Sequence, residues 1–412
     1  MTLLTGFAKR KITREDPTIL AGIFSSKNQS KEREYLRKRV GKEVLDDVFT
    51  RSITFSDGQK KVALCNVDLL ITTRDLYQRV LDRLSQRGLD DIDLMLTATH
   101  THFSYGQYWD NWGAETFFTG KYDPAVFEHL VNNITDCIVE SQRDLKPSKI
   151  GYKSTTVKEV CGNRSNVPAK LDEDLKIIKI NSEDGAYCIA SYSAHPVTLW
   201  GNYWGIVSRD YPGVLEDLIL QNHEVETIFV PGALAGSGIA YEEPEGKERL
   251  ERMGKQLYDG FSSVYEGIEP VDDNVIDFSD RVMTMDKTQI DFLNRFIPNE
   301  IGNWILSFLA DKEFLISGFR LGDIALVGVP GEYGFDMNNS VSDNSPFSNT
   351  VCISQTNGYS LGYVHMPEFY DLPPEQRTNL GTYEHTMGLY GRNMGVKLVD
   401  SIKEILEDLQ SP

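Results

Sequence analysis

The chain has 412 residues, 42 Lys and Arg against 61 Asp and Glu, a formal net charge of −19 and 40% hydrophobic residues. That length can bury one large or two ordinary cores, and the acidic balance excludes a nucleic-acid partner, because phosphate contacts need clustered basic side chains not offset by acid. No run approaches the ~20 apolar residues of a transmembrane segment.

The five cysteines, Cys65, Cys137, Cys161, Cys188 and Cys352, are scattered and form no CxxC pair. This fits free thiols in a reducing compartment better than a disulfide framework. The N-terminus puts its charges after a very short apolar stretch, the reverse of a secretory signal, so a cytoplasmic location is expected.

A charged surface segment, loop or helix, is expected over 27–42. Residues 51–68 then predict a hairpin turning at Asp57-Gly58. Leu76, Val80, Leu81 and Leu84 recur at helical spacing over 73–87, and an apolar run from Leu94 follows as a buried strand. Strand, helix and strand make a βαβ unit. The order recurs with a strand over 187–195, a helix over 211–221 and a strand from Thr227. It appears a third time between strands over 323–328 and 350–354. Residues 175–180 predict a strand antiparallel to 187–195 through Asp184-Gly185. Residues 289–314, with Phe292, Phe296, Trp304 and Phe308, predict a helical insertion that packs in the core or closes as a lid. The fold expected is one α/β domain over 1–412, with mixed β-sheets and flanking helices.

The run from Leu94 ends in His100-Thr101-His102. In an extended chain residues i and i+2 share a face, so both imidazoles would point the same way. Such a pair is either a start on a metal site or two strand-end histidines bonded to neighbours. His195, Glu332 and Tyr359 also fall at or just past strand ends, where α/β proteins bind ligands. Trp200, Tyr203 and Trp204, with Tyr105, Tyr108, Trp109 and Trp112, line an aromatic mouth or pack as ordinary loop residues. Arg164 either contacts substrate or pairs with a carboxylate such as Asp172. Asp68 ends a strand on the same rim and is a candidate partner for a histidine. Asp210 reads as a helix start, His365 and His385 as surface or core histidines, and His129 and His223 as helix-surface residues.

Taken together, Ala98-Thr-His-Thr-His102, Asn163-Arg164, Ser193-Ala-His-Pro196, Pro330-Gly-Glu332 and Asn357-Gly-Tyr-Ser-Leu-Gly-Tyr363 resemble the catalytic domain of neutral ceramidases, in order and over roughly residues 4 to 400. The resemblance implies a single zinc ion held by His100, His195, Glu332 and Tyr359, with His102 handling the proton of a zinc-activated water. It makes Ser237 a counterpart of the family's substrate-side serine, although the aspartate and SPN of that loop are missing here. Phe103-Ser-Tyr-Gly-Gln-Tyr-Trp109 stands where ceramidases carry a glycine-rich stretch, which predicts bulk at the pocket mouth. The immunoglobulin-like domain that follows in ceramidases has no counterpart here, so a shorter relative is expected.

These residue types suit amide hydrolysis. Imidazoles and a carboxylate hold zinc with a position open for water, and a nearby histidine can move the proton to a leaving amine. The expected function is a zinc-dependent amidohydrolase of an N-acyl, lipid-like substrate, with Arg164, Tyr105 and Trp200 touching it. The alternatives are a zinc esterase, lactonase or phosphoesterase, and a non-catalytic binding protein on the same fold.

Overall fold

The computed structural model describes residues 2–16, 18–22, 40–41, 43–199, 205–241, 244–285, 287–290, 299–306, 310–358 and 361–410. Strand β1 (Leu4–Lys11) pairs antiparallel with β2 (Phe49–Ser56), which turns back into β3 (Lys61–Val67). Gly58 sits in that turn at φ 91°, a conformation a Cβ disfavours. Helix α1 (Arg74–Ser85) begins where the Thr73 hydroxyl accepts from the Leu76 amide. It buries Leu76, Tyr77, Val80 and Leu84 on one face and leads to β4 (Ile92–Ala98), parallel to β3.

Helix α2 (Pro124–Ser141) follows, and then β5 (Lys146–Thr156), β6 (Asp174–Ser182) and β7 (Gly185–Tyr192) run antiparallel to one another. Helix α3 (Tyr211–His223) crosses over to β8 (Val225–Pro231), parallel to β7. The product is an eight-stranded mixed sheet in the order β8-β7-β6-β5-β1-β2-β3-β4. Helix α4 (Gly246–Tyr265) packs beside α3.

A second sheet is built from β9 (Ile276–Thr284), β10 (Glu313–Leu321), β11 (Ile324–Gly328) and β13 (Asn349–Ile353), with helix α5 (Asn299–Leu306) between β9 and β10. Strand β12 (Glu332–Tyr333) and helix α6 (Asn338–Asn344) connect β11 to β13, which are parallel. Strand β14 (Tyr363–Val364), helix α7 (Asn379–Met387) and helix α8 (Met394–Gln410) close the chain. All three expected strand-helix-strand units therefore carry a parallel pair.

The two sheets lie face to face. Ile53, Phe55, Leu64 and Ile189 of the large sheet pack with Phe319, Leu326 and Ile353 of the small one, and the Phe55 and Phe319 rings stand 5.2 Å apart. The outer face of the large sheet is covered by α1 and α2 at one end and by α3 and α4 at the other, and that of the small sheet by α8. Each fully buried Leu, Ile or Phe contributes ~1.5–3 kcal/mol. The order of layers is helix, sheet, sheet, helix.

One segment joins the ends of the three parallel pairs. After β13, the Asn357 amide donates to the Leu96 carbonyl at 2.7 Å and its side chain accepts from the Leu96 amide at 2.8 Å, while the Ser354 amide donates to the Pro231 carbonyl. Strands β4, β8 and β13 thus empty onto one rim.

A buried ionic network ties the hairpin to α3. Arg51, fully buried, contacts Asp68 at 3.0 Å and Glu216 at 2.5 Å, and Arg209 contacts Asp46 and Glu216. Asp68 is thereby paired with arginine rather than with a histidine, contrary to the sequence expectation. Asp210 caps α3, accepting from the Tyr211 amide, as expected.

The helical insertion is shorter than 289–314. Among the described residues it is α5 alone, and Phe314 already belongs to β10. Trp304 is 64% exposed, so it does not pack in the core. Phe292, Phe296 and Phe308 lie outside the described residues, as does most of the charged segment over 27–42. All five cysteines are free thiols. No helix among the described residues is long and apolar enough to cross a membrane.

Candidate metal centre

Strand β4 ends at Ala98, two residues before His100. The Thr99 and His100 amides donate to the carbonyls of Val67 and Leu69, which keeps the chain laced to the end of β3. His100 itself turns left-handed, at φ 67°. This conformation is costly for a residue with a side chain and persists only where its surroundings enforce it. The shared face of His100 and His102 therefore comes from a bend and not from strand alternation. The two rings still meet, edge to face, with centroids 4.9 Å apart.

His195 lies three residues past β7, in the loop that leads toward α3. Its Nδ1 bonds the Ser237 carbonyl at 2.7 Å, as His100 Nδ1 bonds the Leu70 carbonyl at 2.6 Å. A carbonyl has no proton to give, so each Nδ1 carries the hydrogen and each Nε2 presents a lone pair. Glu332 comes from β12, whose amide donates to the Gly362 carbonyl. Its Oε2 lies 2.9 Å from His195 Nε2 and its Oε1 3.7 Å from His100 Nε2.

These three donor atoms all lie within 4.8 Å of one another. Ligands about 2.0–2.2 Å from a tetrahedral zinc ion stand about 3.3–3.5 Å apart, between the two distances observed. The electrostatics agree with a cation. Burial lowers the His100 imidazole to about 4 and the His195 imidazole well below its ordinary value, and raises the Glu332 carboxyl. His100 Nε2 is moreover a buried acceptor with no hydrogen-bond partner. A divalent ion would satisfy that lone pair and reverse the cost of ionising Glu332.

Among the described residues, Tyr363 also stands at this centre. Strand β14 pairs in parallel with β12, so that Tyr363 is the register partner of Glu332. Its ring stacks on His195 at 6.4 Å and 7°, and its hydroxyl accepts from Arg164 Nη2 at 3.3 Å. Tyr359, the tyrosine expected from the motif, lies outside the described residues. Strand pairing is what brings Tyr363 to Glu332.

His102 is 8% exposed beside His100 and 6.4 Å from the His195 ring. Arg164 pairs with Glu384 at 2.7 Å and not with Asp172, which is occupied by Lys176 and Ser193. The Ser237 carbonyl orients His195, and its buried hydroxyl lies beside the Cys161 thiol. Tyr105 is 2% exposed, with its hydroxyl accepting from the Arg14 amide. It lies in the core and does not line an open mouth. Phe103 and Tyr108 are buried too, so the expected bulk at the mouth turns inward. Trp200, Tyr203 and Trp204 lie outside the described residues.

Sequence reasoning missed Glu384 altogether and, for His365, which is a core histidine as one reading had it, the link to the site. Glu384, fully buried in α7, accepts from Arg164, from the Gly236 amide and from His365. His365, read as a surface or core histidine, is fully buried between carboxylates. No spacing links either to the histidines; only the fold does.

Residues 37–224 match the family "Neutral/alkaline non-lysosomal ceramidase, N-terminal". Comparison with curated proteins gives no match. Among solved structures, neutral ceramidase from Pseudomonas aeruginosa aligns with a TM-score of 0.79 at 16% identity, over 99% of this chain and 74% of that one. A structure described as ceramidase complexed with C2 aligns with a TM-score of 0.80 at 16% identity, over 100% of this chain and 75% of that one. The chain therefore has the neutral-ceramidase fold and is similar in sequence to the neutral/alkaline non-lysosomal ceramidases over residues 37–224.

Proposed function

We propose that this chain is a zinc-dependent amidohydrolase that cleaves the amide bond of a lipid-like N-acyl substrate. The observation that carries the reading is the convergence of His100 Nε2, His195 Nε2 and a Glu332 oxygen, all buried, on one point. The similarity to ceramidases supplies the substrate class.

His100, His195 and Glu332 would hold the ion, with Tyr363 beside them. When bound, zinc supplies Lewis acidity, lowering the pKa of a water to about 7 and polarising a carbonyl. The remaining work falls to the protein. His102 accepts the proton of the attacking water and returns it to the nitrogen as the C–N bond breaks, so that a free amine and a carboxylate leave. Arg164 holds its guanidinium toward the Tyr363 hydroxyl, where it favours negative charge at the reaction centre. The five free thiols fit a reducing compartment.

The test is an assay of the zinc-loaded protein against N-acyl amines of graded chain length, simple esters, lactones and aryl phosphates. Turnover of the amides above the other classes supports the reading. Selective turnover of esters, lactones or phosphates replaces it with one of those chemistries. Zinc content below half an equivalent, with no activity gained on adding zinc, favours a binding protein.

A further inference from the structure

We propose that His365 is a positioning residue that, through Glu384, holds the Arg164 guanidinium toward Tyr363 and limits its competition with the ion for the His195 Nε2 lone pair. This inference rests on the zinc-site reading above. It arises from a continuous chain of alternating charge. Asp336 Oδ2 lies 3.4 Å from His365 Nδ1, and His365 Nε2 lies 3.0 Å from Glu384 Oε2. Glu384 Oε1 accepts from Arg164 Nε at 2.7 Å, and Arg164 Nη2 reaches His195 Nε2 at 3.0 Å and the Tyr363 hydroxyl at 3.3 Å. The links come from β14, α7 and the loops around residues 164, 195 and 336, so no one element fixes them.

Each link is held on several sides. Asp336 Oδ2 also accepts from the Met366 amide at 2.7 Å, and Glu384 Oε2 from the Gly236 amide at 3.0 Å. The Phe369 ring packs 4.0 Å from the His365 ring. Glycines make the space. A Cβ on Gly334 would meet Asp336 Oδ1 at 2.3 Å and His365 Nδ1 at 2.9 Å, and one on Gly238 would meet the Arg164 side chain at 3.0 Å. His365, Glu384 and His195 are at most 1% exposed. A guanidinium aimed at a ligand set needs a fixed carboxylate behind it, and Glu384 is fixed by His365 on one oxygen and spent on Arg164 with the other.

The role is separable from mere packing by a double-mutant cycle on the full chain, read in zinc affinity by chelator competition and in kcat and KM. His365→Ala should weaken zinc binding by about 10-fold or more and lower kcat with little change in KM. In an Arg164→Ala background the same substitution should change neither by more than about twofold. Equal losses in both backgrounds would overturn the proposal. Where His365→Ala does not fold, His365→Gln, which still offers an N–H to one carboxylate, takes its place. Gln should keep zinc affinity closer to wild type than His365→Asn, whose shorter arm cannot reach; equal losses in the two refute the role. Zinc affinity is read without substrate. A chain inert toward N-acyl amides would fault only the substrate reading, and the cycle would still decide the role of His365.

Discussion

His195 Nε2 and Glu332 Oε2 stand 2.9 Å apart although 137 residues separate them in the chain. Each is oriented from behind, His195 by the Ser237 carbonyl and Glu332 by the pairing of its strand with Tyr363. The centre is thus assembled from segments whose only common property is that they follow the ends of parallel strands. Removing either one takes a donor atom from the set.

It follows that His195→Ala and Glu332→Ala should abolish zinc retention, as measured by metal analysis after dialysis. Wild type should gain thermal stability with zinc, since a ligand at about 100 times its Kd adds about 2.7 kcal/mol to the folded state. Neither variant should show that gain. An equal zinc-dependent rise in melting temperature for wild type and for both variants would place the ion elsewhere.

His102 supplies a different signature. It sits beside the ligand set rather than within it, so His102→Ala should keep the zinc content of wild type while kcat falls by about 10²- to 10⁴-fold, the usual contribution of a general acid–base. Loss of zinc in parallel with activity would make it a ligand instead.

Much of this architecture was legible in the sequence, for local reasons. The Asp57-Gly58 turn, the α1 periodicity at Leu76, Val80 and Leu84, and the apolar runs of β4, β7 and β13 each declare themselves within a dozen residues. His100 and His195 fall just past such runs and Glu332 just past that of β11, and the family resemblance is what named them as ligands. What escaped depends on contacts between distant segments. Tyr363 reaches the site through its register with Glu332, and Glu384 belongs to it because α7 folds back over Arg164. The backbone reversal at His100 was likewise hidden, since a histidine at φ 67° has no marker in composition or spacing.

The network around Arg51 predicts a large effect far from the metal centre. Arg51 is fully buried between Asp68 and Glu216. Arg51→Ala leaves both carboxylates short of a partner in the interior, which should destabilise the fold by about 3–5 kcal/mol in denaturant titration. A loss under ~1 kcal/mol would mean that Arg209 and water can replace it.

The acid side of the stability profile should belong in part to Glu384. Burial alone would raise its carboxyl, but Arg164 and His365 overcome that and hold it at about 2, against an ordinary 4.5. The folded protein therefore binds fewer protons than the unfolded chain between those values. Its contribution is complete above pH 4.5 and is lost as the pH falls toward 2. Glu384→Gln should melt several degrees below wild type at neutral pH, and the gap should shrink steadily as the acid range is entered, because protonation imposes the same loss on the native residue. Melting curves collected for both proteins from neutral pH down to the limit of reversible folding test this directly. A gap that stays constant across that range would mean that Glu384 stabilises the fold through shape and hydrogen bonding rather than through its charge opposite Arg164 and His365.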